Sequence, residues 1–395
     1  MSATAARSRR GKQLFDDTSL FRSWLRIISV WVILGLIVAA IYFLPGDLRA
    51  YAVLTRFADP QAHGPLLWFE THSVTAEDVS IPAADGPVHA RLYLPVGVRH
   101  PRGMVAVHGI HHLGMDEPRL VNFAKAVAGS GIAVLTPQID SLADYHVDRD
   151  SIPIIGESAA WLDDRLGGKR VTVTGISFAG GLSLMAALDP RYSTHMRALV
   201  LMGAYDDLAR TSRFLATGIQ ELPDGSKEPH RAHDYGAAVF VYAHLNQFFP
   251  AGDLAVAHDA LRAWLWEHPE DAKPLMAKLS PASQGLMDAL LARRIEEVRP
   301  AILNAIHTDQ VELAAISPHG QVGGFRLPVY ILHGSADDII PPVESLWLAK
   351  DLPRGSVRDM LITGAFSHVD PDKNASLKEE LRLVRFVGDV LRAAN

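Results

Sequence analysis

Hydrophobic and polar positions fall along the chain in three regimes. Residues 27–46 are twenty residues without a charge, closed by Asp47. At about 1.5 Å per residue such a stretch spans roughly 30 Å as a helix, the hydrocarbon thickness of a bilayer, and Trp24, Trp31 and Tyr42 lie towards its ends or outer turns. One transmembrane anchor is expected there. From Val74 onward, short β-branched runs alternate with helical periodicity, the pattern of an α/β fold with a mostly parallel sheet. The expected strands are Val74–Ile81, Val88–Leu94, Gly103–His108, Ile132–Pro137, Val171–Ile176, Ala198–Met202, Pro328–His333 and Asp359–Thr363. Runs such as Met104-Val105-Ala106-Val107 are apolar throughout, as strands buried on both faces are. Helices are expected at Pro118–Ser130, Ile152–Leu166, Phe178–Leu188, Pro342–Leu352 and Ala375–Ala394. Between Met202 and Pro328 the alternation breaks for about 125 residues, too long for a loop and helical in period. Helices over Tyr235–Phe249, Leu254–Trp266, Pro281–Val298 and Arg299–Ile316 make this an inserted helical unit.

Charge orients the anchor. Six basic side chains against two acidic ones precede Ile27, and only Arg49 and Arg56 follow soon after the span. The positive-inside bias puts a tail, 1–26, in the cytoplasm and the bulk of the chain outside, periplasmic in a Gram-negative cell. A cleaved signal peptide is the competing reading, on Ser8-Arg9-Arg10 and the small residues at Ala50-Tyr51-Ala52. The composition, 48% hydrophobic and 21% charged, suffices for a large core and excludes wholesale disorder. With a net charge of −6 and no basic face beyond the N-terminal tail, nucleic acid is not an expected partner. The chain has no cysteine, which excludes disulfides, thiolate metal sites and a Cys nucleophile.

The chemistry-bearing signal is Val171-Thr-Val-Thr-Gly175-Ile176-Ser177-Phe178-Ala179-Gly180-Gly181, a strand running into a helix with serine at the apex of a small-residue turn. Such an elbow holds a nucleophile on a strained, exposed turn. Its second flank is Ala179 where glycine completes the usual five-residue form. Met104-Val-Ala-Val-His108-Gly109-Ile110 ends a strand where a backbone N–H can meet a developing oxyanion, so Ile110 and Phe178 are the expected donors. His333-Gly334-Ser335-Ala336-Asp337-Asp338 ends the strand after the insert and offers Asp337 as the orienting acid, with Asp338, Asp206 and Asp207 as competitors. His368, in a loop before the terminal helix, is the expected general base.

The order Ser177, Asp337, His368 is that of α/β-hydrolases. With the four motifs together, Thr71 to Asn395, apart from the insert, resembles that superfamily. The resemblance implies an eight-stranded sheet flanked by helices, with a core over 51–203 and 326–395 and a helical cap over 204–325 that roofs the pocket. It implies a Ser-Asp-His hydrolase forming an acyl-enzyme, most simply a carboxylesterase (EC 3.1.1) acting on a small-molecule acyl ester. The same triad also serves peptidases, thioesterases and acyltransferases, and a tethered binding protein on a hydrolase scaffold is an alternative of another class. The chain departs from the family pattern at Ala179 and lacks a His-Gly-Gly-Gly motif, which disfavours the hormone-sensitive-lipase-like branch. Serine at the elbow argues against epoxide hydrolase or haloalkane dehalogenase chemistry.

Weaker signals surround this core. His111, His112 and Tyr145 are candidate substrate contacts. His230-x-x-His233-Asp234 has a ligand-like spacing without a third ligand, which reads as solvated surface. The proposed chemistry requires no metal and no organic cofactor.

Overall fold

All eight expected strands form in one sheet: β1 (Val74–Ile81), β2 (Val88–Pro95), β3 (Arg102–Val107), β4 (Ile132–Pro137), β5 (Val171–Ile176), β6 (Met196–Met202), β9 (Val329–Gly334) and β10 (Val357–Thr363). Their spatial order is β1-β2-β4-β3-β5-β6-β9-β10, with β2 antiparallel to both its neighbours and every other pairing parallel. The computed structural model describes residues 28–29, 31–32, 34, 44–233, 235–365 and 376–394. The cytoplasmic tail expected over 1–26, and most of the anchor expected over 27–46, lie outside them. Among the described residues no helix is long and apolar enough to cross a membrane.

The pleat of β3 sorts the core into two layers. Met104 and Ala106 point into a cluster with Ala124 and Val127 of helix Pro118–Gly129, Leu391 of helix Leu377–Ala394, and Ala50 and Val53 of the helical residues 44–58. Val105 and Val107 point the opposite way, into the cluster of helices Ser151–Arg165 and Phe178–Leu188, which runs on into the insert. Ala50 and Ala52, the small residues of the alternative cleavage site, are fully buried inside a helix.

The insert between β6 and β9 holds more structure than its periodicity announces. Helices Leu208–Thr217 and Pro269–Met276 and a small hairpin, β7 (Ile219–Glu221) with β8 (Lys227–Pro229), join Gly236–Ala243, Leu254–Leu265, Pro281–Leu291 and Ile295–Thr308. The break expected between Val298 and Arg299 is displaced: both residues sit inside Ile295–Thr308. The preceding helix stops instead where Arg293 takes a left-handed φ of 63°. Arg294 N–H reaches the carbonyl of Ala289 and Arg293 N–H that of Leu290, the paired closure of a Schellman motif with arginine where glycine is usual.

An ionic cluster fastens the start of the insert to the core. The Arg210 guanidinium donates to Glu344 (2.7 Å) and Asp206 (2.9 Å), and Glu344 also accepts the backbone N–H groups of Asp206 and Asp207. Trp347 lies under the guanidinium at 4.3 Å. Burial holds the Asp206 carboxyl well above the usual carboxylate range, reinforced by the neighbouring Glu344 and opposed by Arg210.

Candidate active site

Strand order reverses around β3, which lies between β4 and β5, so the carboxyl ends of β3 and β5 open onto a crevice at the switch point of the sheet. Ser177 stands at the end of β5 with φ 57° and ψ −131°, a backbone conformation rarely adopted by a residue with a side chain. Its N–H is tied to the carbonyl of Met202 on the neighbouring strand (2.7 Å). The close approach that the turn requires is visible at Gly175, where a Cβ would lie 2.6 Å from the Ala179 carbonyl oxygen and from Gly180 Cα. Ala179 itself fits without exposure. The tight contacts that follow fall on Gly180, against Ala204, and Gly181, against the ring of Tyr205. The missing glycine of the motif is therefore sterically harmless here.

The loop after β3 runs directly across this serine. A Cβ on Gly109 would stand 3.0 Å from Ser177 Cβ and 3.3 Å from the Ile176 carbonyl oxygen. His108 orients the same peptide. Its Nδ1 lies 2.7 Å from the Gly109 carbonyl, which can only accept, so Nδ1 carries the proton and Nε2 accepts the Ile139 N–H at 3.1 Å. Burial lowers the His108 pKa to about 4, keeping this tautomer neutral at physiological pH. The Gly109 carbonyl and the Ile110 N–H belong to one peptide plane, so the bond from His108 fixes the direction of an expected oxyanion donor. Phe178 N–H, the other, is the first of a helix and has no intrahelical acceptor.

Asp337 is fully buried in the turn after β9. One carboxylate oxygen accepts the N–H groups of Ile339 and Ile340 at 3.0 Å each, and the other lies 3.4 Å from His333 Nε2. His333 is held in turn by Ser345 and the Ile340 carbonyl. Its competitors have other partners: Asp206 belongs to the Arg210 cluster, and Asp207 caps helix Leu208–Thr217. Asp338 faces the cavity, and its carbonyl accepts the His233 N–H at 2.6 Å. His368 lies outside the described residues.

Ser177, His108, Gly109 and Ile110 line one cavity of about 490 Å³. Phe57, Leu120, Phe123 and Met202 reach it from the layer under the C-terminal helix, and Tyr235, Trp264, Leu265 and Glu267 from the insert. His111 and Tyr145 line it too, whereas His112 stacks edge-on against Trp266 and is not among the lining residues. Burial lowers the pKa of His111 and of His112. Tyr145 acts as a strut: its hydroxyl donates to the Leu265 carbonyl at 2.8 Å, and burial pushes its pKa up to about 12. The His230–His233 segment is not solvated surface, as its polarity suggested, because both residues clip onto the acid turn. His230 Nε2 donates to the Asp337 carbonyl at 2.9 Å, one residue before the bond from His233 to Asp338. Phe57, Phe123 and Trp264 carried no sequence signal beyond hydrophobicity, since their place in the site comes from packing.

A search of curated proteins finds no match. Among solved structures, the chain is similar to a hyperthermophilic esterase from the archaeon Pyrobaculum calidifontis, at 16% identity and TM-score 0.46, over 88% of each chain. It is similar to brefeldin A esterase, described as a bacterial homologue of human hormone-sensitive lipase, at 15% identity and TM-score 0.46, over 88% of this chain and 84% of that one. A meta-cleavage product hydrolase from Pseudomonas fluorescens follows at 17% identity and TM-score 0.43, over 80% and 98%. The family model described as the alpha/beta hydrolase fold matches residues 151–372, a stretch that takes in the elbow serine, the insert and the acid turn. With more than half its length matched and its sheet ordered around a strand-turn-helix serine, the chain belongs to the α/β-hydrolase fold family.

Proposed function

We propose that the protein is a membrane-anchored serine hydrolase that cleaves carboxylic esters through an acyl-enzyme on Ser177. The observation that carries this reading is the strained Ser177 at the cavity floor with Gly109 packed against it, so that a carbonyl in the cavity meets the hydroxyl. In the proposed reaction Ser177 Oγ attacks the ester carbonyl while His368 accepts its proton and Asp337 steadies the resulting imidazolium. The tetrahedral oxyanion takes hydrogen bonds from the Ile110 and Phe178 N–H groups. Collapse expels the alcohol, protonated by His368. Water, activated by the same histidine, then attacks the acyl-enzyme, releases the carboxylic acid and returns the proton to Ser177.

Several features support an apolar acyl group and a cap. Phe57, Leu120, Phe123 and Met202 give the cavity a hydrocarbon wall, and the insert over 204–325 supplies the roof. The charge-free run 27–46 and the basic tail before it support an anchor with the catalytic core outside the cytoplasm.

The test is labelling of the full chain with a fluorophosphonate probe, alongside a panel of esters from short to long acyl chains. Labelling of the wild type, lost in Ser177→Ala and in His368→Ala, is the expected result. A folded wild type that takes no label and turns over no ester overturns the enzyme reading and favours the tethered binding protein.

A further inference from the structure

We propose that the short helix Pro65–Glu70 is a second membrane contact, dipping Trp68 and Phe69 into the headgroup region of the bilayer face from which the anchor emerges. The inference rests on the reading of 27–46 as an anchor and adds a surface that this reading does not supply. Leu67 is buried, while Trp68 and Phe69 are 77% and 75% exposed, with ring centroids 4.8 Å apart. Adjacent large aromatics left open to water mark a contact surface, and Trp is the side chain enriched at bilayer interfaces.

The path of the chain supplies the occupant. It leaves the apolar run at Gly46, continues through the helical residues 44–58, and turns back over 59–64. That turn is pinned by Asp59 N–H on the Thr55 carbonyl and by Arg56 on the Pro60 carbonyl. The return brings Glu70 to 3.9 Å from Arg49, three residues past the end of the apolar run. Three helical residues rise about 5 Å, so Arg49, and with it the Glu70 end of the aromatic helix, lies close to where the proposed anchor leaves the hydrocarbon. Beside Trp68 lies a groove of about 540 Å³ whose ionisable lining residues are Arg56, His63, His72 and Lys125. Among the described residues that line it none is a carboxylate. The nearby Glu70 pairs with Arg49, and Asp59 accepts the Gln61 N–H. Aromatic wedge and cationic groove together fit an anionic phospholipid surface.

Because the chain has no cysteine, single thiols can be placed without background. The full chain, carrying a nitrobenzoxadiazole label at Phe69→Cys, Ser29→Cys or Val311→Cys, is reconstituted into phosphatidylcholine–phosphatidylglycerol vesicles with nitroxide-labelled lipids. Val311, 76% exposed on the insert, is the aqueous control. Shallow-nitroxide lipids are expected to quench the label at 69 but not at 311, and deep-nitroxide lipids to quench it at 29. Quenching at 69 is expected to be stronger with nitroxide-phosphatidylglycerol than with nitroxide-phosphatidylcholine. That preference should fall about fivefold in Arg56→Gln and again in Lys125→Gln. A label at 69 as unquenched as that at 311, with 29 quenched, overturns this inference and leaves the anchor standing. No quenching at 29 overturns the anchor reading and this inference with it.

Discussion

At the scale of single residues, the site depends on two small facts about the loop after β3. A methyl on Gly109 would press on Ser177 and on the Ile176 carbonyl. Gly109→Ala should therefore cut kcat by about 10² or more while leaving the melting temperature nearly unchanged, because the strain falls on Ser177, the proposed nucleophile, and not on the core. His108 acts on the same peptide from the other side. His108→Ala should lower kcat by roughly ten- to a hundredfold with KM little altered, as expected if the Ile110 N–H, the proposed oxyanion donor, is left in place but no longer aimed. His108 also gives stability an acid limb. Its folded pKa, about 4, lies below the ordinary 6.5, so between those values the unfolded chain binds the extra proton. Its contribution is complete above pH 6.5 and is lost as pH falls towards 4, by about 3 kcal/mol in all. Melting curves at pH 7 and pH 4.5 should show a shallower acid loss in His108→Asn than in wild type. The serine and its glycines were legible in the sequence because a strained turn restricts residue type. The work of His108, His230 and Tyr145 was not legible, because each bonds a carbonyl whose position is set by the tertiary fold.

At the scale of elements, a buried ionic cluster adds to the apolar packing that joins insert to core. Arg210 is buried between Glu344 and Asp206, so Arg210→Met would leave two carboxylates in a dry site with one partner removed. The expected loss is about 3–5 kcal/mol in denaturant titration at pH 8, smaller at pH 5, where the Asp206 carboxyl, already raised by burial, is protonated. Adding Asp206→Asn and Glu344→Gln to the variant should restore part of the loss. The central strands could be located from sequence almost to the residue because burial on both faces leaves short, continuous apolar and β-branched runs bounded by turn residues. The insert was harder to divide. The boundary expected between Val298 and Arg299 lies inside a helix, whereas the true boundary at Arg293 uses a left-handed arginine that composition does not betray.

At the scale of the whole molecule, the helical residues 44–58 belong both to the N-terminal segment and to the cavity, because Phe57 lines the wall that Ser177 faces. Shortening that wall in Phe57→Ala should shift the ester panel towards longer acyl chains. The ratio of kcat/KM for long over short chains is expected to rise about tenfold, and an unchanged profile would assign Phe57 to packing alone. Its position on this helix has a further consequence. Eight residues separate Arg49, at the proposed membrane surface, from Phe57, a rise of about 12 Å. Under the proposed anchoring the helix works as a ruler that holds the reaction at a fixed height. An ester lying among lipid headgroups would have to climb that height before reaching the serine, whereas an ester dissolved in water would not. Turnover of bilayer lipids by this enzyme should accordingly track how readily each lipid leaves its leaflet.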